Sequence, residues 1–229
     1  MNDAPASGLG ELRRLLRPRP AAGAHPPMPG VTSRGESCEL CQAGIPAEHG
    51  HLVDLDTRTL ACVCRPCYLL FCVEGAGGRR YRAVPCRYLR DQTMRVSESQ
   101  WDELQLPISI AFFFWNSEAE RMVAFYPSPA GAMESLLPLE PWRRIAEENP
   151  IVRELVPDVE AVLIERGQSG FAAYVVPIDR CYELVGRLRR TWKGFDGGQE
   201  ARSEIKTFFD ELERRSSSLP AATVETAPG

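Results

Sequence analysis

Two cysteine pairs near the start of the chain constrain its fold more than any other feature. Cys38 and Cys41 form the first C-x-x-C pair, Cys64 and Cys67 form the second, and 22 residues (42–63) separate them. Two cysteines three positions apart on a tight turn can direct both sulfurs at one ion, and a hairpin between two such pairs can bring four sulfurs together. The spacing therefore predicts one tetrahedral metal site of four thiolates.

Zinc is the expected metal, and iron is the alternative, because both accept four thiolates in a tetrahedron. The order of a knuckle, a hairpin and a cysteine pair at a helix start resembles the treble-clef zinc finger. Rubredoxin-like iron sites usually carry glycine after the second cysteine of each pair, whereas Gln42 and Tyr68 stand there in this chain. Ordinary reduced cysteines without a metal are the remaining interpretation.

Three further residues between the pairs are candidates for the surroundings of this metal: His49, His51 and Cys62. We expect them to support the ligands or to lie at the surface, with ligand substitution as the alternative. The two histidines also bear a weak resemblance to His-Asn-His nucleases, but the central asparagine and a basic context are missing. The other cysteines, Cys72, Cys86 and Cys181, are expected to pack in the core, with a redox partnership between Cys72 and Cys86 as the alternative.

Composition and charge favour a cytoplasmic protein that neither spans a membrane nor binds nucleic acid. Eight cysteines in such a chain point to metal or redox chemistry, because the cytoplasm keeps thiols reduced. No run of 18 apolar residues occurs, so a transmembrane helix is not expected. The formal net charge of −4 lacks the positive excess of nucleic-acid-binding domains.

The pattern of apolar residues predicts an α+β fold. A β-hairpin is expected at 51–55 and 59–63, with a helix after Cys67. Alternating or β-branched runs predict two further antiparallel strand pairs, and helical spacing predicts three later helices: strands at 108–114, 121–126, 159–165 and 171–176, and helices at 141–148, 178–192 and 205–212. The expected organisation is a flexible leader (1–36), a four-cysteine module (37–97), an α+β domain (98–216) and a disordered tail (217–229).

Arginine is concentrated after the second cysteine pair, although the whole chain is acidic. Six arginines and a single acidic residue lie between positions 79 and 95. Guanidinium groups suit carboxylate-rich protein surfaces, so a partner surface is expected here, with the loop 127–131 as a possible extension. Equally, the arginines would offset the acidic segment 98–165 of the same molecule. The candidate partner surface comprises Arg79, Arg80, Arg82, Arg87 and Arg90.

No recognisable catalytic motif accompanies the cysteines. The glycine-rich stretch 75–78 is followed by arginines and does not follow a strand as a phosphate-binding loop would. No serine, histidine and acid grouping surrounds a nucleophile elbow. A non-enzymatic protein is therefore the expectation.

Several stretches resemble a largely actinobacterial family whose genes often lie beside those of the high-affinity NiFe hydrogenases. They include 48–55, 126–132 and 176–182, together with both cysteine pairs and the residues that follow the second pair, and they span about 35–212. The resemblance implies an accessory role in hydrogenase assembly, maturation or electron supply, with a hydrogenase subunit or maturation factor as partner. A rubredoxin-like iron electron carrier is the first alternative, and a metal-dependent nuclease or nucleic-acid binder is the second.

Overall fold

Five α-helices and ten β-strands are present in the computed structural model, which describes residues 35–219 except 74, 75, 77–79, 92, 93, 137–139, 168, 169, 195 and 196. The strands form two sheets, and nearly all of their pairings are antiparallel. The predicted α+β class is therefore confirmed. The described residues belong to one compact unit that begins at Gly35. The predicted leader lies outside them except for its last two residues.

The smaller sheet carries the cysteine module. Its strands β1 (Gly50–Asp54), β2 (Thr59–Val63) and β3 (Tyr81–Ala83) lie in the order β2-β1-β3. The hairpin of β1 and β2 is the one that the sequence predicts, and β2 leads directly to Cys64 and helix α1 (Arg65–Leu70). Their apolar side chains form a small core of their own: Ile45, Leu52, Ala61, Val63 and Tyr68.

The larger sheet has seven strands and forms the centre of the rest of the described chain. The strand order is β10-β4-β9-β8-β5-β6-β7. The two predicted strand pairs are present and lie side by side in it, because β5 pairs with β8. The strands are β4 (Leu89–Asp91), β5 (Ile110–Asn116), β6 (Arg121–Ser128), β7 (Gly131–Glu134), β8 (Glu160–Gly167), β9 (Gly170–Pro177) and β10 (Ser217–Ser218).

Helices cover both faces of the larger sheet, and successive strand residues alternate between the two cores. Helices α4 (Ile178–Thr191) and α5 (Gly198–Arg215) pack on the face that contains Phe112 and Leu163. Helices α2 (Glu98–Glu103) and α3 (Glu140–Glu148), with a 3-10 turn at Pro150–Glu154, cover the face that contains Phe113 and Val162. None of the helices within the described ranges combines the length and apolar character needed to cross a bilayer.

The larger sheet also draws on segments that the sequence places outside the α+β domain. Strand β4 precedes residue 98, yet Leu89 pairs with Val175 of β9. Ser217 and Ser218 pair in parallel with β4, although the disordered tail is expected to begin at 217. The backbone makes this contact, since Ser217 N–H donates to Tyr88 O and Leu219 N–H donates to Arg90 O. Serines that pair through the backbone alone leave no apolar pattern in the sequence.

Glu165 on β8 makes part of the stability depend on pH. Burial, with added repulsion from Asp210, raises the pKa of Glu165 from 4.5 to about 7. The folded state keeps a proton on Glu165 that the unfolded chain releases above pH 4.5. The stability contributed by this proton is therefore complete below pH 4.5 and is lost as pH rises through about 7. We expect Glu165→Gln to raise the melting temperature by about 2–4 °C at pH 8.

Thermal unfolding at pH 8 and at pH 4.5 tests this expectation, because at the lower pH Glu165→Gln should melt close to the wild type. The exposed Glu147 on α3 provides the matched control, and Glu147→Gln should show no such pH-dependent difference. Equal shifts for the two variants at pH 8 would contradict a special environment for Glu165.

Candidate metal centre

The first cysteine pair lies in a tight backbone turn. Cys38 N–H donates to Ala43 O at 2.7 Å, and Gln42 N–H donates to Cys38 O at 2.8 Å. Gln42 has a φ of 64°, a left-handed conformation that glycine adopts more easily than other residues. The turn therefore has the form of a metal knuckle although no glycine follows Cys41.

The second cysteine pair opens a helix. Cys64 is the N-cap residue of α1, Cys67 lies in its first turn, and Pro66 suits that position because it lacks an N–H to satisfy. Glu39 connects the first cysteine pair to strand β2, which leads to the second pair. Glu39 N–H donates to Cys62 O at 2.9 Å, and Cys62 N–H donates to the Glu39 carboxylate at 2.7 Å. Knuckle, hairpin and helix thus occur in the predicted treble-clef order.

The four cysteine sulfurs converge on one point. The Sγ atoms of Cys38, Cys41, Cys64 and Cys67 all lie within 4.8 Å of one another, and those of Cys41 and Cys64 are 3.6 Å apart. A tetrahedron with metal–sulfur distances of about 2.3 Å has edges of about 3.8 Å. A disulfide needs about 2.05 Å between its sulfurs. The spacing therefore fits four thiolates around one metal ion and does not fit a disulfide.

Charge within this cluster is unevenly shared. Burial acts to raise the pKa of Cys38, but the backbone amides of Cys64, Cys41 and Leu40 donate to its sulfur, and the net effect lowers the pKa to about 6. The hydrogen-bonded sulfur of Cys64 and burial raise the pKa of Cys67 to about 12. One thiolate thus suppresses ionisation of its neighbours, and a divalent cation among the four sulfurs would offset that repulsion.

His49, His51 and Cys62 form a second group, and their potential ligand atoms also lie within 4.8 Å of one another. His51 stands opposite Cys62 in the β1–β2 pair. Its Nδ1 lies 2.8 Å from a carboxylate oxygen of Asp179 on α4. Burial raises the pKa of Cys62, and the carboxylates of Glu39 and Glu36 add to the shift. The sequence gives no local signal for Asp179, which is 128 positions from His51.

The described arginines of the candidate partner surface all form ion pairs within the chain. Arg80 pairs with Asp54, Arg82 with Asp158, Arg87 with Glu160 and Arg90 with Glu213. The Arg80 guanidinium lowers the pKa of Asp54 through its hydrogen bonds. These contacts favour internal pairing over a free basic surface, and Arg79 lies outside the described residues.

The remaining cysteines do not all pack as expected. Cys181, on the inner face of α4, is fully buried, and burial raises its pKa well above the usual value. Cys72 and Cys86 are exposed, so the expectation of core packing is wrong for both. Cys72 follows the last turn of α1, and its Sγ lies 3.4 Å from Tyr68 O.

An apolar groove lies between the small sheet and the larger one. Its lining includes Val53, Phe114 and Tyr182, and charged residues surround its mouth. Four of these charges pair with each other, Arg58 with Glu118 and Arg121 with Glu134, and Asp158 pairs with Arg82. The groove would suit an apolar ligand but offers no clear reactive group.

Residues 37–216 match DUF5947, which is described as a family of unknown function. The chain belongs to this family. No curated protein and no solved structure matches it. The matched range includes both cysteine pairs and six of the seven strands of the larger sheet, and only β10 lies beyond it.

A close contact inside the cysteine module leads to a stability prediction. A Cβ atom at Gly50 would lie 2.6 Å from the Tyr68 ring, which is fixed because its hydroxyl donates to Val84 O at 2.8 Å. We therefore expect Gly50→Ala to lower the free energy of unfolding by about 1–3 kcal/mol through overpacking. Urea unfolding measures the change.

Gly44 offers the matched control, since a Cβ there would have no atom within 4 Å. Gly44→Ala should change stability by no more than about 0.5 kcal/mol. An equally small change in the free energy of unfolding for Gly50→Ala and Gly44→Ala would show that the Tyr68 ring moves aside without cost.

Proposed function

We propose that this protein is a non-enzymatic accessory protein whose four-thiolate zinc centre stabilises a surface that binds another protein. The observation that carries the proposal is the convergence of four sulfurs at the spacing of a tetrahedral shell. Cys38, Cys41, Cys64 and Cys67 would hold the ion, and its chemistry would be structural because all four positions are filled by the protein.

Two local features support zinc over iron. The second cysteine pair begins a helix and does not form a second knuckle, which is the treble-clef arrangement. Only the first pair is followed by a residue with positive φ, and that residue is Gln42 and not glycine. Both features depart from the paired glycine-containing knuckles of rubredoxin-like iron sites. The rubredoxin-like electron carrier therefore ranks second.

Apolar side chains around the metal ligands support a protein partner. Leu40 lies between the first two ligands, while Leu69, Leu70 and Val73 follow the last ligand, and all four are exposed. Leu70 has 65% of its surface exposed. Exposed apolar residues grouped on one module are typical of protein-binding surfaces, and we call these four residues the leucine surface.

The class of partner follows from the sequence resemblance. A family encoded beside NiFe hydrogenase genes would meet hydrogenase subunits and maturation factors in the cytoplasm. We therefore propose that the leucine surface binds one of these proteins. The paired arginines make a smaller contribution in this proposal, because contact with a partner would have to break ion pairs within the chain.

Elemental analysis with an absorption spectrum of the purified protein tests the metal assignment. Zinc in the four-thiolate site should give a colourless protein, whereas a ferric four-thiolate site absorbs visible light. Cys64→Ala with Cys67→Ala should remove the metal of this site, and Cys86→Ala should not. Full metal retention in the double variant would overturn the assignment of ligands.

Co-purification from the native host tests the partner. Leu69→Ser with Leu70→Ser should keep the metal and the melting temperature while losing hydrogenase subunits or maturation factors from the eluate. The comparison variant is Arg79→Glu, Arg80→Glu and Arg82→Glu, which should lose stability because Arg80 and Arg82 pair with Asp54 and Asp158. Unchanged recovery of hydrogenase proteins with the leucine variant, or none with the wild type, would reject the leucine surface.

A further inference from the structure

His49 has a buried ring nitrogen without a partner. Its side chain is only 8% exposed, and its Nε2 makes no hydrogen bond. Its Nδ1 lies 2.9 Å from Pro46 O. A carbonyl oxygen accepts and cannot donate, so Nδ1 carries the proton and Nε2 carries a lone pair. An acceptor buried without a donor is costly, unless a ligand completes it.

Its neighbour His51 also has an oxygen acceptor at Nδ1. That Nδ1 lies 2.8 Å from a carboxylate oxygen of Asp179, which accepts the Nδ1–H hydrogen bond, so Nε2 is the nitrogen left for a ligand. A histidine whose Nδ1–H donates to a carboxylate or a backbone carbonyl is the usual form of a metal ligand, because the contact fixes the ring and raises its basicity. His49 and His51 each have one of these two acceptors. Both rings are therefore oriented as metal ligands would be, with Nε2 as the nitrogen that can face an ion.

Cys62 adds a sulfur to the two nitrogens. It is the cross-strand partner of His51, and His49 stands two positions before His51, so the three side chains point from one face of the β1–β2 hairpin. The potential ligand atoms lie within 4.8 Å of one another. Ligand atoms around a bound zinc ion lie about 3.3–3.6 Å apart. Side-chain rotations that bring these atoms closer by at most about 1.5 Å would therefore close the site.

We propose that His49, His51 and Cys62 form a second metal site, separate from the four-cysteine centre. Two imidazoles and a thiolate select a late first-row divalent ion such as Zn²⁺ or Co²⁺ over Mg²⁺ or Ca²⁺, which prefer oxygen ligands. Three protein ligands leave a fourth position for water or an exogenous ligand, in contrast to the closed four-thiolate site. Asp179 acts as a positioning residue and ties the site to helix α4.

Metal titration of the full-length reduced protein tests this proposal. The protein is stripped of metal, one equivalent of Zn²⁺ is added, and Co²⁺ is then titrated while absorption and bound metal are measured. We expect a second equivalent to bind as Co²⁺, with a thiolate-to-cobalt charge-transfer band. His49→Gln with Cys62→Ser should bind one equivalent in total, and Cys86→Ser should bind two.

Asp179→Asn gives a readout that a purely structural contact would not move. We expect this substitution to lower the affinity for the second metal equivalent about 10- to 100-fold and to leave the affinity for the first equivalent unchanged. Failure of the four-cysteine centre is distinguishable in the wild type, because X-ray absorption at the zinc edge reports the first site and absorption at the cobalt edge reports the second.

X-ray absorption on the wild-type protein, with zinc in the first site and cobalt in the second, needs no variant. A mixed nitrogen and sulfur shell around cobalt is expected. A wild type that binds a single equivalent, an all-sulfur cobalt shell, or two equivalents retained by the His49→Gln and Cys62→Ser variant would each overturn the proposal.

Discussion

Replacement of both Cys64 and Cys67 by serine is expected to unfold the cysteine module while the larger sheet stays folded. Structural zinc sites contribute apparent binding free energies of about 10–16 kcal/mol at neutral pH. The apolar core of the module is too small to replace such a contribution, since it contains two small side chains, Ala61 and Val63, with Ile45, Leu52 and Tyr68. The larger sheet has two cores of its own.

Hydrogen exchange measured by mass spectrometry locates the loss. Amides from Cys38 to Leu70 should lose most of their protection in the serine variant, while those of β5, β8 and β9 keep theirs. Cys72→Ser with Cys86→Ser is the matched control, because both side chains are exposed and should change stability by no more than about 0.5 kcal/mol. Full protection of the module without its metal would contradict a structural role for the ion.

Arg87→Ala is expected to cause the largest loss of stability among the arginine substitutions. Its guanidinium contacts both oxygens of Glu160 at 2.7 and 2.8 Å, and the Glu160 side chain is fully buried. Removal of the arginine leaves a buried carboxylate without its countercharge. We expect a loss on the order of 3 kcal/mol, at the low end for broken buried pairs because Arg87 itself is 39% exposed.

Chemical unfolding measures this loss, and a second substitution identifies its cause. Adding Glu160→Gln to Arg87→Ala should recover part of the stability, because a neutral amide needs no countercharge. The exposed Arg143–Glu140 pair supplies the control, and Arg143→Ala should cost no more than about 0.5 kcal/mol. A stable Arg87→Ala that loses a partner protein would instead favour the arginine-rich partner surface.

Local sequence patterns predicted the elements whose apolar side chains repeat with a clear period. The β1–β2 hairpin has alternating residues around Asp56 and Thr57, and it occurs within one residue of the expected bounds. Helix α4 was predicted from apolar residues at helical spacing. Helix α5 begins at Gly198, earlier than expected. Its first turn carries mostly polar side chains, so the apolar pattern does not reveal where the helix begins. In each of these cases one element contains the information needed to recognise it.

Strands β3 and β4 were not predicted, because each has three residues and mixes arginine with apolar side chains. Their pairing depends on partners far away in the chain, such as Val175 opposite Leu89. The clustering of the four cysteines could be predicted from their spacing alone, whereas the contact of His51 with Asp179 could not. The ion pairs of the arginine cluster could not be predicted either, since the positions of their acidic partners follow from the tertiary fold.

The pairing of β4 also determines the order in which the parts of the chain can fold during synthesis. All four clustered cysteines and the three strands around them lie between Cys38 and Ala83, so these residues leave the ribosome together and can form their cluster early. Strand β4 must wait for β9 at 170–177, and β10 arrives only at 217–218. Pairings across such sequence separations form slowly. A nascent chain therefore presents the complete cysteine module while β4 still lacks its partner strands, and a ribosome stalled before residue 170 would present this module without the larger sheet.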